Sequence, residues 1–157
     1  MIHPLFLTCL FALFLSTTVF GSMPPLPSVS GVLGEINRVR AENRRPPLKP
    51  DPALNRYAAE WADTIAREGK LRHRTNDDLK AMMKAGGYRG LSENIAFSSR
   101  AWTARQIVEQ WMESDGHREN LLRESTTVCG LGLSTRNGKN YAVFNGASEA
   151  GAVTSGN

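Results

Sequence analysis

The sequence predicts an α+β fold in which helices cover a small, mainly antiparallel sheet. Three observations carry that reading. The first half holds two stretches whose apolar residues recur at helical spacing. The last third holds two apolar runs joined by Asn137-Gly138, the pair that a two-residue hairpin demands because both central residues need positive φ. No internal repeat runs along the chain, which argues against a solenoid or propeller.

The elements follow in order. Residues 23–31 form a proline-rich, extended lead-in that begins "MPPLPS". "SGVLGEINRVRAE" then sets Val32, Ile36 and Val39 on one helical face, and the prolines of "NRRPPLKPDP" end it. Asp51 before Pro52 reads as an N-cap with proline at the first helical position. The helix that follows, to about Gly69, stacks Leu54, Tyr57, Ala58, Trp61, Ala62 and Ile65 in one stripe. "LRHRTNDD" is a polar loop, after which Asp77 or Asp78 caps a short helix through Ala85 that "GGYRG" ends. "LSENIAF" reads as a short strand or an irregular segment. Thr103 and Gln106 form a capping box ahead of Ile107, Val108 and Trp111 in a helix to about Ser114. Asp115-Gly116 breaks it, and "HRENLL" adds a turn or two. The hairpin strands are "TTVCGLGLST" and "NYAVFNGA", and residues 148–157 are a fraying tail.

Composition bounds the class. The chain has 157 residues, 41% hydrophobic and 22% charged, enough for one domain with a real core. Its net charge of +4 is spread among acidic residues rather than gathered in a basic stripe with interleaved aromatics, so no nucleic-acid partner is expected. Residues 1–22 contain no Lys, Arg, Asp or Glu, and small residues at Gly21 and Ser22 suit a signal-peptidase cut. The expectation is a cleaved signal peptide, with an uncleaved anchor as the alternative. The mature form then has no transmembrane span and is secreted or periplasmic. Cleavage leaves Cys129 as the one cysteine, so no intramolecular disulfide forms, and its apolar surroundings suit a buried, inert thiol. It also leaves His73 and His117 as the only histidines, which excludes a zinc site built from several Cys and His.

Enzyme signatures such as G-x-S-x-G, H-E-x-x-H and the P-loop are absent, and "RNGK" is a hairpin turn rather than a phosphate loop. What remains are imidazoles and carboxylates in polar breaks beside strong helices: His73, Glu93, Glu113 and His117. Such groups bind divalent metals or move protons near neutral pH, and a carboxylate can complete coordination, orient an imidazole or act as base. Spacing alone leaves the other reading open, in which each is a polar residue satisfied by backbone groups.

Taken together, "INRVRAENRRPPLKPDPALNRYAAEWA", "HR", "SENIA", "QWMES" and "GHRENLL", followed by a Gly-rich strand and an aromatic strand, resemble the CAP superfamily. That superfamily comprises the cysteine-rich secretory, antigen 5 and pathogenesis-related 1 proteins, also called the SCP domain. The likeness spans Val32 to Ala147 and, lacking disulfides, is closest to the bacterial branch. It implies a three-layer α-β-α sandwich over residues 32–147, with two histidines and up to two glutamates converging on a cleft that takes a divalent cation such as zinc. It also implies lipid binding elsewhere on the domain in some members. His73, Glu93 and His117 match that set, with Ser92 where the family more often has Gly. The second glutamate falls at Ser114, and Glu113 lies one residue earlier, about 100° around a helix. Three functions follow as expectations: an exported, non-enzymatic binding protein with a lipid or cell-envelope partner, a metal-assisted hydrolase of peptide or envelope material, or an exported scaffold whose polar cluster fastens loops.

Overall fold

The computed structural model describes residues 27–149, so the expected signal peptide, residues 23–26 of the lead-in and the last eight residues lie outside it. Its elements run α1 (Val29–Glu42), β1 (Lys49–Pro50), α2 (Pro52–Glu68), α3 (Asn76–Gly86), β2 (Tyr88–Ser98), α4 (Ala104–Met112), α5 (Asp115–Leu122), β3 (Val128–Arg136) and β4 (Lys139–Glu149). The strands form one sheet in the order β1-β3-β4-β2, antiparallel except for the short parallel pair β1–β3. Helix α2 covers one face, α1, α4 and α5 the other, and α3 flanks β2. This is the three-layer α-β-α sandwich.

Each face has its own core. On one, Val32 and Ile36 of α1, Ile107, Val108 and Trp111 of α4 and Leu121 of α5 meet Ala96, Leu131, Ala142 and Phe144 of the sheet. On the other, Ala58, Trp61, Ala62 and Ile65 of α2 meet Ile95, Tyr141 and Val143. Alternate residues of a strand face opposite sides, so β2 and β4 each serve both cores. Helix α2 sits unusually close to β3. A Cβ added at Gly130 would lie 2.0 Å from the backbone of Leu54, and one at Gly132 2.2 Å from that of Ala58. Only glycine permits such a backbone-on-backbone approach.

The caps agree with the sequence at Asp51, whose side chain accepts from Leu54 N, and at Thr103–Gln106. The hairpin turn also agrees: Asn137 has φ 52° and Gly138 φ 71°. Elsewhere the structure corrects the reading. Helix α1 starts at Val29, three residues before the expected boundary, because Ser28 caps it. Helix α3 is capped by Thr75 rather than Asp77 or Asp78, and Asp78 is the reciprocal member of that capping box. "LSENIAF" is the middle of an eleven-residue strand, its register fixed by pairing along the whole of β4. Helix α4 stops at Met112, and the break falls at Glu113–Ser114, leaving Gly116 inside the first turn of α5. Ser148 and Glu149, assigned to the tail, extend β4.

Two polar residues tie the α1 side together. Asn37 receives the N–H of Leu48 at 2.8 Å and donates to its carbonyl at 3.0 Å, closing the proline-rich loop. Arg40 is fully buried with no carboxylate partner among the described residues. Its guanidinium donates instead to Pro46 O at 2.7 Å, Leu121 O at 2.5 Å, and Arg123 O and Thr126 O at 3.2 Å. Nearby, Cys129 is buried as expected, and burial pushes its thiol up to about 12.

Candidate functional site

The site forms at the edge strand β2, around the consecutive residues Glu93 and Asn94. Neighbouring side chains on a strand point to opposite faces. Glu93 therefore turns toward the α2 layer and Asn94 toward α5. Glu93 Oε1 meets His73 Nδ1 at 3.0 Å and accepts from the Arg74 backbone N–H at 3.0 Å. Asn94 donates to the His117 carbonyl at 2.9 Å and accepts from Asn120 at 2.9 Å, which pins α5 to the sheet. One histidine thus arrives from each helical layer, and their ring centroids lie 6.1 Å apart.

The loop carrying His73 is held from below. Trp61 donates its indole N–H to Arg72 O at 3.1 Å. The guanidinium carbons of Arg72 and Arg74 lie 4.4 and 4.7 Å from the Trp61 ring, within cation–π range. Arg74 also donates to Tyr57 O of α2 and places its Nε 3.5 Å from Glu93 Oε2. With both flanking residues fastened, the His73 side chain remains 51% exposed while that of Glu93 is 1% exposed.

A carboxylate accepts, so His73 Nδ1 carries the hydrogen toward Glu93, and in the neutral tautomer that this bond selects the free lone pair is on Nε2. Burial, and secondarily the neighbouring His73, lowers the pKa of His117 from its ordinary value. That favours neutral imidazole, the form that coordinates a metal.

The structure joins His73, Glu93 and His117 and leaves Glu113 out. Glu113 caps the C-terminus of α4, with an exposed side chain. Glu93 stands behind His73 rather than beside it as a ligand: its Oε1 is taken up by His73 Nδ1 and the Arg74 N–H, and its Oε2 faces Arg74 Nε at 3.5 Å. Consistently, no group of three or more His, Cys, Asp or Glu among the described residues has metal-holding geometry. The donor set a divalent cation would meet is two imidazoles, one of them oriented by a carboxylate, with water in the other positions.

Sequence reasoning missed Arg74 and Asn145. Arg74 carries no signal beyond its place after His73. Asn145 had one: Tyr141, Val143 and Asn145 share a strand face, so a polar residue sits where an apolar one belongs.

The comparisons agree with the fold. Over 104 residues the chain is 31% identical to the uncharacterized protein YkwD of Bacillus subtilis, a match covering 62% of this chain and 40% of that protein. Among solved structures, an outer surface protein of Borrelia burgdorferi superposes with a TM-score of 0.67 at 19% identity, covering 76% of this chain and 90% of that one. An extracellular SCP-domain protein of Bacillus anthracis gives 0.63 at 21% identity, covering 77% and 40%. NaASP2, solved with Zn2+, gives 0.56 at 14% identity, covering 77% and 79%. The chain thus spans 40% of the length of YkwD and of the B. anthracis protein. Residues 33–146 match the model of the cysteine-rich secretory protein family, and the chain belongs to that CAP family.

Proposed function

We propose that this CAP domain is a non-enzymatic binding module acting outside the cytoplasm, with a cleft that takes a divalent cation such as zinc between His73 and His117. One observation carries the reading: two imidazoles 6.1 Å apart, the first with its Nδ1 committed to a buried carboxylate. A carboxylate behind a histidine is the usual arrangement of metal sites, where it fixes tautomer and ring orientation. With two protein donors the site is open and weak, suited to a ligand or envelope component that supplies further donors. The extracellular and outer-surface proteins of the same fold support the location, and the Zn2+ in NaASP2 supports the cation. Glu93, buried and with its Oε1 committed to His73 and the Arg74 N–H, is shielded from acting as a base on a substrate, which favours binding over hydrolysis.

Titration calorimetry of the purified protein with zinc tests this. One saturable site is expected, weakened at least tenfold in His73→Ala and in His117→Ala. Glu93→Gln weakens it about 10- to 100-fold, the usual effect of losing an orienting partner. Glu113→Gln leaves it unchanged. Binding that survives both histidine changes overturns the proposal.

A further inference from the structure

Beneath the cleft, four buried polar atoms have no hydrogen-bond partner: Arg74 Nε, Glu93 Oε2, and both Nδ2 and Oδ1 of Asn145. They belong to one place. Asn145 is the cross-strand partner of Glu93 in the β2–β4 ladder, so the two side chains point to the same face. Directly paired residues bring their Cβ atoms within about 5 Å. Val143, two residues before Asn145, packs against α2, so this face looks into the α2 layer. On its other side Asn145 pairs with Gly130, which has no side chain to offer. Arg74 closes the region from above, bonded to Tyr57 O and 3.5 Å from Glu93 Oε2, ion-paired without a hydrogen bond between those two atoms.

Leaving a buried polar group unpaired is costly, and an amide with both ends unpaired is exceptional in a folded protein. The four atoms are two donors and two acceptors, the complement that water satisfies, and internal waters characteristically make about three such bonds.

We propose that Asn145, Glu93 Oε2 and Arg74 Nε form an internal hydration site holding one or two long-lived waters, and that this site positions the Glu93 carboxylate against His73. The water fixes Oε2 while His73 and the Arg74 N–H fix Oε1, so all the freedom of the carboxylate is removed. Asn145 is then a positioning residue for the cleft, although it touches neither imidazole directly. The inference does not depend on a cation being bound.

The test uses the intact protein without added metal. Water–amide NOE spectra are expected to show a cross-peak at the water frequency to the Asn145 side-chain NH2, with the sign of a water held longer than about a nanosecond. In Asn145→Leu, of similar size but without polar atoms, water relaxation dispersion should count at least one fewer long-lived water. The imidazole 15N shifts of His73, read at pH 8.5 where free imidazole is neutral, should move from the Nδ1–H form toward a mixture. A purely structural role for Asn145 would change stability and leave those shifts unmoved. If Asn145→Leu does not fold, Asn145→Ser is read instead: it keeps a hydroxyl and room for water, so the count stays level or rises. Absence of the wild-type cross-peak overturns the hydration site. Unchanged His73 shifts in a folded variant that has lost the water overturn the positioning role.

Discussion

Arg40 is buried in this domain and Arg74 half-buried, and their surroundings differ in kind. Arg40 joins α1 to the loops around α5 and donates to four main-chain carbonyls, with no carboxylate partner among the described residues. Arg74 donates to Tyr57 O, faces Glu93 at 3.5 Å and keeps a buried Nε without a partner. Desolvation lowers the pKa of both guanidinium groups. Yet Arg40 is a closed network, and closed networks fix a unique packing. Arg74 belongs to an open one, whose spare hydrogen-bonding capacity lies against the exposed histidine cleft. The first holds the fold, and the second prepares a site.

The largest effect should come from breaking the closed network. Arg40→Met leaves four main-chain carbonyls without their donor, those of Leu121 and Thr126 in buried bonds and those of Pro46 and Arg123 in partly buried ones, and about 3 kcal/mol of stability should be lost in urea melts. Zinc affinity of the fraction still folded should hold. Arg74→Gln is the contrasting change. It should cost about 1–3 kcal/mol in the same melts, while zinc affinity falls because Glu93 loses its charged neighbour. If Arg74→Gln were the more destabilising and left binding intact, the contrast would collapse.

The smallest effect sharpens the electrostatics. The folded-state pKa of His117 is lowered, so the unfolded chain takes up its proton first as the pH falls. Stability from this residue is therefore complete above its unfolded value, near 6.5, and is lost as pH falls through that value toward the lower folded one. His117→Gln should match the wild type within about 1 kcal/mol at pH 7.5 and show a shallower decline between pH 7 and 5. An identical decline in both proteins would mean that other groups set the acid limb.

Much of the fold was legible because its signals are local. The Asp51-Pro52 start, the α2 stripe, the Thr103–Gln106 box and the Asn137-Gly138 turn each act within a few residues. The Thr75 cap was overlooked because two aspartates beside it compete for the same reading, and only geometry shows Asp78 bonding back. Strand β2 was obscure since its pattern mixes two faces. Ser92, Asn94 and Ala96 serve one layer, and Glu93, Ile95 and Phe97 the other, so alternation of polarity is lost. The histidines and Glu93 were identifiable through the family likeness. That Glu93 stands behind His73, and that Arg74 and Asn145 complete the cluster, follow from cross-strand register and the path of the Trp61-anchored loop. No local pattern encodes either.

The adjacency of Glu93 and Asn94 on an edge strand has a practical consequence. Because one residue steers each histidine, sliding β2 by a single position along β4 would exchange the two side chains and dismantle the cleft. The separation of the imidazoles is therefore a gauge of strand registry. Any probe that reports on both rings, whether a bound cation or a nuclear Overhauser contact between them, counts only molecules whose last sheet edge has closed correctly. That makes the cleft a quality mark for refolded protein, readable without any ligand being identified.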